Sequence, residues 1–118
     1  MKYLLLIYEN PGTREQFFAD EALMGRVDAI VKELTDSGEL VRGEGLADPS
    51  QAKSVRVVDG APAVTDGPFA EAKEHLGGFM LVEVESEERA LDIATRFPHI
   101  GTGGMEVRPL MEASGTEM

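Results

Sequence analysis

Residues 65–84 read TDGPFAEAKEHLGGFMLVEV, a stretch that joins a tight corner to a long apolar strand. Pro68 fixes its own φ and keeps Gly67 out of helical geometry, while Gly67 is free to adopt backbone angles that other residues avoid. Residues 79–82 are all apolar. Because successive side chains of a strand point to opposite faces, the predicted strand is apolar on both faces of its sheet.

The other elements follow from turn residues and from the spacing of apolar residues on both sides of this strand. Asp59-Gly60 is the dipeptide best suited to a two-residue hairpin turn. The predicted order is a strand over residues 2–8, a helix that begins after Thr13 or Asp20 and ends at Gly38, a strand over 40–46, a hairpin of 54–58 with 61–64, the strand over 76–84, a helix from Ser86 to Pro98 and a strand over 105–110.

Each predicted helix has an apolar stripe at helical spacing, which indicates one buried face. The stripe of the first helix consists of Leu23, Val27, Ile30, Val31 and Leu34, and that of the second of Ala90, Leu91, Ala94 and Phe97. Ser86 is a typical N-cap for the second helix.

This order of elements predicts an α+β fold of the ferredoxin-like type, a split βαβ arrangement with an inserted hairpin. Its antiparallel sheet carries both helices on one face, so the other face is uncovered. The strands over residues 2–8 and 76–84 are apolar on both faces. An uncovered apolar sheet exceeds what a monomer usually exposes, so we expect a homodimer whose sheet faces enclose a barrel-like space suited to a small ligand.

Composition narrows the class of protein. The 118 residues suit one domain, over residues 1–112, with a flexible tail over 113–118. The chain has no cysteine, which excludes disulfides, thiolate nucleophiles and cysteine-based metal sites. A formal net charge of −11 argues against direct binding of nucleic acid. The apolar run over residues 2–8 is too short for a signal peptide or a membrane span, so we expect a cytoplasmic protein.

The chain resembles the DGPF proteins, a branch of the YCII-related family. The resemblance is carried by residues 64–74, VTDGPFAEAKE, and by residues 76–79, LGGF. Further similar blocks are residues 2–8, 43–46, 55–57 and 106–109, so the match covers nearly the whole chain. The resemblance implies a dimeric α+β-barrel, in agreement with the argument from the two-faced strands.

The same resemblance implies acid–base chemistry for some relatives. Related YCII-type proteins carry a His/Asp pair taken as an acid–base site, and a few act on lactone-like or chlorinated ring-cleavage products. Members of this branch often place a histidine near positions 27 and 28, where this chain has Val27 and Asp28. The branch is also encoded beside sigma factors of the extracytoplasmic-function type, which implies a regulatory or accessory association.

Asp66 and His99 are the candidate catalytic residues. Asp66 is a general base if a dimer cavity removes its carboxylate from water, and otherwise a turn former that bonds to its own backbone. His99 follows Pro98 in a predicted loop, where it reaches a cavity mouth as an acid or base or is simply exposed.

Substrate-binding roles are predicted for Lys73, Glu71, Arg108 and Phe69. The two cations are suited to an anionic substrate, and an arginine on a strand can bind a carboxylate in a fork-like pair. Alternatively, Lys73 and Glu71 form a solvated ion pair, and Phe69 is a core or interface anchor. Glu71, Glu74 and His75 would meet on one helical turn as metal ligands, but exposed charge is the favoured interpretation, and no metal site or cofactor is predicted.

Two functions are compatible with this sequence. The first is a homodimer that binds a small polar or anionic metabolite and carries out proton transfer, as in dehydration, isomerisation or dehalogenation. Thiol, nucleophilic-serine and nucleotide-binding motifs are all absent from the sequence. The second is a non-catalytic accessory protein whose acidic surface binds a basic partner such as a sigma factor.

Overall fold

The computed structural model describes residues 1–69 and 72–111. The strands and helices are β1 (Lys2–Glu9), α1 (Arg14–Ala19), α2 (Glu21–Ser37), β2 (Leu40–Gly45), β3 (Lys53–Val58), β4 (Ala61–Asp66), β5 (His75–Glu83), α3 (Glu87–Thr95) and β6 (Met105–Pro109). Two short 3-10 helices span Pro49–Gln51 and Pro98–Gly101. The predicted flexible tail, 113–118, lies outside the described residues.

The main sheet has four strands in the order β2-β5-β1-β6, and each neighbouring pair is antiparallel. The two strands that flank the first helical segment are thus separated by β5, and those that flank α3 are separated by β1. This order confirms the predicted split βαβ arrangement and the α+β class.

The hydrophobic core lies between the helices and one face of this sheet, the helix face. On the sheet, it contains Tyr3, Leu5, Met80 and Val82, all of them buried. The helices supply the other half of the core, with Ile30 and Leu34 from α2, Ala90 and Ile93 from α3, and Phe97 just after α3. The opposite face, the open face, presents Leu4, Leu6, Phe79 and Leu81, which are only partly buried.

The apolar stripe of α3 differs from the predicted one at a single position. Leu91 is 46% exposed, whereas Ile93 is fully buried. With Ala90, Ala94 and Phe97, Ile93 completes the spacing i, i+3, i+4, i+7 of a single helix face, from which Leu91 is rotated by about 100°.

The first helical segment is two helices, because the chain is extended at Asp20 (φ −90°, ψ 101°). The Asp20 carboxylate accepts hydrogen bonds from the backbone N–H groups of Ala22 and Leu23, at 3.0 and 3.2 Å, and so caps α2. Both predicted starts are therefore used: Thr13 precedes α1 and Asp20 precedes α2. Gly38 ends α2 in the left-handed conformation, as predicted.

The hairpin β3–β4 forms a separate two-stranded sheet. Asp59 (φ 52°) and Gly60 (φ 81°) both have positive φ, which is the geometry of a two-residue hairpin turn. This confirms the predicted hairpin, with β3 one residue longer at its start and β4 two residues longer at its end. Gly67, directly after β4, has φ 86°, so the corner requires glycine as expected.

A bilayer-crossing helix is not found among the described residues, since none of their helices combines sufficient length with sufficient apolar character.

Candidate functional site

The last residue of β1 carries a carboxylate whose position requires a glycine in the neighbouring strand. Glu9 is the last residue of β1, and its side chain lies directly over Gly77 of β5, where a Cβ atom would overlap the carboxylate group. A Cβ on Gly78 would lie 2.9 Å from the backbone oxygen of Glu44 in β2, which is also too close. The Gly77-Gly78 pair therefore makes room for the Glu9 side chain on one side and for β2 on the other.

Arg14 holds this carboxylate in place. Its Nη1 donates to Glu9 Oε2 at 2.6 Å, and its Nη2 donates to the backbone oxygen of Leu46 at 2.7 Å. The guanidinium also lies 4.9 Å from the centre of the Phe18 ring. The side chains of Arg14 and Glu9 are only 19% and 14% exposed, so this is a partly desolvated pair with defined geometry. It ties the start of α1 to the ends of β1 and β2.

His99 lies in the 3-10 helix Pro98–Gly101, below α1. Its ring centre is 4.3 Å from that of Phe17 in α1 and 6.0 Å from that of Phe97. Its Nδ1 is buried and has no hydrogen-bond partner among residues 1–69 and 72–111. Burial lowers the pKa of His99, and the nearby negative charge of Glu9 opposes that shift only in part. The imidazole is therefore neutral at pH 7.

Glu9, Phe17 and His99 border a cavity of about 240 Å³ between α1, α2 and the sheet, the His99 cleft. Its walls are mostly apolar, and the ionisable residues that border it among the described residues are His99, Glu9 and Glu44. Glu44 lies opposite Phe79, and its carboxylate binds Arg42 at 3.1 Å. The apolar residues that border it are Ile7, Phe17, Phe18, Met24, Val27, Val31, Leu40, Phe79, Met80 and Phe97, and glycines 43, 45, 77 and 78 line its sheet side. The cleft thus combines an apolar interior with a neutral imidazole and the Arg14-paired carboxylate of Glu9.

Such an arrangement can bind a small molecule and exchange a proton with it. A neutral imidazole accepts a proton, and Glu9 can accept a hydrogen bond from a ligand hydroxyl. Among the described residues, His, Asp and Glu side chains nowhere form a group of three that could hold a metal ion.

Of the two predicted catalytic residues, only His99 lines this cleft. Asp66 lies at the end of β4, where its side chain is 87% exposed and forms an ion pair with Lys53 across the hairpin. Its carboxylate is therefore solvated in the single chain, and a role for Asp66 as a base stays a prediction.

The predicted substrate-binding residues lie at other places in the fold. Lys73 borders a shallow cavity with Tyr8 and Glu106. Arg108 is on β6 opposite Leu4, at the edge of the open face. Phe69 is 45% exposed, and the guanidinium of Arg56 lies 4.2 Å from its ring centre.

Glu71 lies outside the described residues, so its predicted role is untested. The helical turn that would have joined it to Glu74 and His75 as metal ligands is not formed over residues 72–75, because His75 begins strand β5 and residues 73–74 form a bend. The shallow cavity beside Lys73 contains another polar contact, a hydrogen bond between Tyr8 and Glu106 that raises the pKa of Tyr8.

Sequence reasoning missed Glu9, Arg14 and Phe17 as parts of a site. A signal was present, because Glu9 ends a wholly apolar strand and Arg14 follows only five residues later. The paired glycines 77 and 78 were a second signal, since adjacent glycines inside a strand indicate close approach of another group.

Comparison with known proteins agrees with this fold. The family model described as YCII-related domain matches residues 1–114. An uncharacterised protein of Rhizobium meliloti (strain 1021) is 34% identical over 114 residues, which are 93% of this chain and 92% of that protein.

A solved structure with a similar fold is 5-chloro-2-hydroxyhydroquinone dehydrochlorinase from Burkholderia phenoliruptrix AC1100, in complex with 2,5-dihydroxybenzoquinone. The TM-score is 0.50 at 16% identity, and the alignment covers 99% of this chain and 100% of that chain. At this identity the similarity supports the α+β fold.

Because the family model matches nearly the whole length of this chain, the chain belongs to the family of YCII-related domain proteins.

Proposed function

We propose that the protein binds a small, largely apolar and uncharged molecule in the His99 cleft, and that His99 moves a proton on it. The observation that carries this proposal is the His99 imidazole in the wall of an apolar cleft, with its Nδ1 buried and without a partner among the described residues. A buried polar atom without a hydrogen bond costs roughly 1–3 kcal/mol, so it is seldom retained without a use.

The size and charge of the cleft restrict the ligand. A volume of about 240 Å³ is smaller than a site for a drug-sized molecule, which spans roughly 300–1,000 Å³. A neutral imidazole and the Glu9 carboxylate, whose charge is paired with Arg14, border the cleft, and none of its described lining residues is Lys or Arg. An anion would lose its hydration there without gaining a cationic partner, so the expected polar or anionic metabolite is narrowed to an uncharged molecule with a hydroxyl or carbonyl group.

The lowered pKa of His99 restricts the reaction. A histidine with a lowered pKa is neutral and available at pH 7, but it is a weaker base than a free imidazole. It is suited to protons that are already acidic, such as those of an enol, a phenol or a carbon next to a carbonyl group. Dehydration, isomerisation and dehalogenation can all begin with such a transfer.

The solved structure of similar fold gives limited support. That protein is a dehydrochlorinase in complex with 2,5-dihydroxybenzoquinone, which is a small ring with hydroxyl and carbonyl groups. A ligand of this size class is compatible with the His99 cleft.

Proton transfer can be tested before the natural ligand is identified. We would incubate the protein in D₂O with enolisable ring ketones and lactones, and follow loss of the α-proton signals by NMR. Exchange that is accelerated by the protein and falls by about 100-fold or more in His99→Gln would support His99 as the base. His75→Gln is the control, because His75 lies in β5 and does not line the cleft.

Binding is tested separately from chemistry by the imidazole signals of His99. A neutral and an anionic probe of matched shape, 4-hydroxybenzyl alcohol and 4-hydroxybenzoate, differ mainly in charge. We expect the neutral probe to shift the His99 signals at lower concentration. If no compound of either kind moves these signals, the cleft is not a ligand site and the proposal is wrong.

We also propose that the active form is a homodimer joined through the open face in a barrel-like assembly, in the cytoplasm. The partly exposed Leu4, Leu6 and Leu81 support such an interface. A partner is also what would remove Asp66 from water, and it would cover the edge where Arg108 lies. We expect Leu6→Glu to convert the dimer into a folded monomer in sedimentation velocity; a wild-type monomer would contradict this assembly.

The second candidate function, an accessory protein for a basic partner such as a sigma factor, is supported by the formal net charge of −11. Binding by charge alone weakens steeply as salt is raised. A complex that forms in low salt, dissociates in high salt and is unaffected by His99→Gln would favour this function over the first.

A further inference from the structure

The hairpin β3–β4 has one face that is apolar and exposed, the valine face. The register pairs Val55 with Val64 and Val57 with Pro62, so these four side chains share one face of the hairpin. Val55, Val57 and Val64 are 59%, 72% and 66% exposed. The Lys53–Asp66 ion pair closes the face at the end near the main sheet.

The other face of the hairpin is partly covered from within the chain. It carries Ser54, Arg56 and Ala63, of which Ser54 and Ala63 are half-buried. The Ser54 hydroxyl donates to the backbone oxygen of Gly67 at 2.7 Å, and Phe69 stacks on the guanidinium of Arg56. The chain after β4 thus folds back over this face and leaves the valine face bare.

An isolated two-stranded hairpin is only marginally stable in water, so its valine face needs a cover. Four small side chains supply well under half of the about 800 Å² per partner that a standard interface buries. The valine face is therefore too small to hold a partner alone, and it is suited to extend a larger contact.

Charge favours a second copy of this chain as the cover. Residues 53–66 contain Lys53 and Arg56 against Asp59 and Asp66, which gives +2 − 2 = 0, within a chain whose net charge is −11. Two copies of so acidic a chain repel each other over most of their surface. The neutral hairpin is a part of the chain that a second copy can approach with little repulsion.

We propose, resting on the open-face homodimer proposed above, that the valine face of each hairpin docks on the second copy of the chain and enlarges the contact between the two copies. Each hairpin then adds a second contact to the dimer interface. A foreign protein partner would use the same apolar face, and the experiment below separates it from a second copy.

The test compares two neighbouring positions on opposite faces of β3. Val57 is on the valine face, whereas Val58, 53% exposed, is on the face of Arg56. In sedimentation velocity of the full chain, Val57→Glu should raise the dimer dissociation constant about tenfold or more, and Val58→Glu by less than about threefold. Equal effects of the two variants, or none from Val57→Glu, would overturn the proposal and leave the open-face dimer untouched.

A second measurement decides the question even if Val57→Glu misfolds. Because the chain has no cysteine, Val57→Cys and Val58→Cys each introduce a single thiol. The thiol at position 57 should be protected from a maleimide at high protein concentration and become reactive on dilution, while that at position 58 reacts at both. Equal reactivity at all concentrations refutes docking on a second copy. A wild-type chain that sediments as a monomer at every concentration also refutes it, and points to a foreign partner.

Discussion

The carboxylate of Glu9 lies directly over the backbone of Gly77, so these two residues, 68 positions apart, share one space at the end of the sheet. A methyl group at position 77 would displace the Glu9 side chain and break its 2.6 Å bond to Arg14. We expect Gly77→Ala to lower the free energy of unfolding by about 1–3 kcal/mol, since the partly desolvated Arg14 loses its hydrogen-bonded carboxylate and keeps only the longer, 3.8 Å contact with Asp48.

Gly45→Ala is the control for this change, because a Cβ atom at Gly45 in β2 would meet no atom within 4 Å. It should change stability by less than about 1 kcal/mol. Chemical denaturation of both variants checks the prediction. In Glu9→Ala the clash is absent, so adding Gly77→Ala should then cost little; a cost that is simply additive would contradict a shared space.

A second prediction concerns the pH dependence of stability. The pKa of His99 is lowered by burial in the folded protein, so below its ordinary value of 6.5 the unfolded chain binds more protons than the folded one. The contribution of His99 to stability is therefore complete above pH 6.5 and is lost as the pH falls below it. Unfolding free energies measured between pH 7.5 and 5, at intervals of about half a pH unit, should reveal this loss of stability.

His99→Phe should remove that part of the pH dependence. It should also raise stability at pH 7 by about 1 kcal/mol, because a ring beside Phe17 no longer carries a buried nitrogen without a partner among the described residues. A variant that is more stable yet no longer binds ligand would identify His99 as a residue kept for function. An unchanged pH profile would show that His99 is not the group responsible.

A third prediction concerns acid stability at the junction of α3 and β2. Arg89 binds the Glu39 carboxylate through Nε and Nη2, both at 2.9 Å, and these bonds lower the pKa of Glu39 from 4.5 to about 2. A carboxyl group whose pKa is lowered in the folded state stabilises the fold at pH values above the pKa that it has in the unfolded chain. This stability is lost as the pH falls from about 4.5 towards 2. Glu39→Gln should cost about 1–2 kcal/mol at pH 7 and flatten the acid limb of the profile.

Asp36→Asn provides a matched comparison, because Asp36 pairs with Lys32 on α2 and both side chains are exposed, 64% and 78%. Its removal should cost no more than about 0.5 kcal/mol. Acid titrations followed by circular dichroism would measure both variants. Equal losses of stability would show that the Arg89–Glu39 contact contributes no more than the exposed Lys32–Asp36 pair.

A fourth prediction separates the two aromatic residues of α1. Phe17 is 8% exposed and packs on His99, whereas the adjacent Phe18 is 52% exposed and contacts Phe17 edge-to-face. Phe17→Leu should remove the ring-current shift of the His99 imidazole protons and weaken ligand binding, while Phe18→Leu should leave that shift in place. NMR spectra of the two variants suffice, and an unchanged His99 signal in Phe17→Leu would rule out the stacked arrangement in solution.

Most of the sheet could be predicted from local patterns, because the faces of β1 and β5 are encoded by neighbouring residues. The same holds for the hairpin turn at Asp59-Gly60, whose backbone requirement is local. In α3, a one-residue error placed Leu91 in the core instead of Ile93. The spacing i, i+3, i+4, i+7 through Ala90, Ala94 and Phe97 selects Ile93, so the helical pattern, applied strictly, distinguishes the two residues.

The candidate site was less predictable because its parts come from distant segments. Local turn chemistry drew attention to Asp66, but exposure depends on what the rest of the fold brings near it, and in the single chain that is Lys53 and solvent. His99 was selected as one of only two histidines, whereas its contact with Phe17 joins residues 82 positions apart. No local pattern encodes such a contact.

The break at Asp20 has an evolutionary consequence. Because Phe18 stands on the short helix α1 and the core residues Ile30 and Leu34 stand on α2, one part of the cleft wall belongs to a separate piece of chain from these core residues. Phe18 is 52% exposed, so mutation there can reshape this part of the wall for a different ligand without disturbing the packing of Ile30 and Leu34. A protein built this way can change its chemistry while its scaffold stays the same.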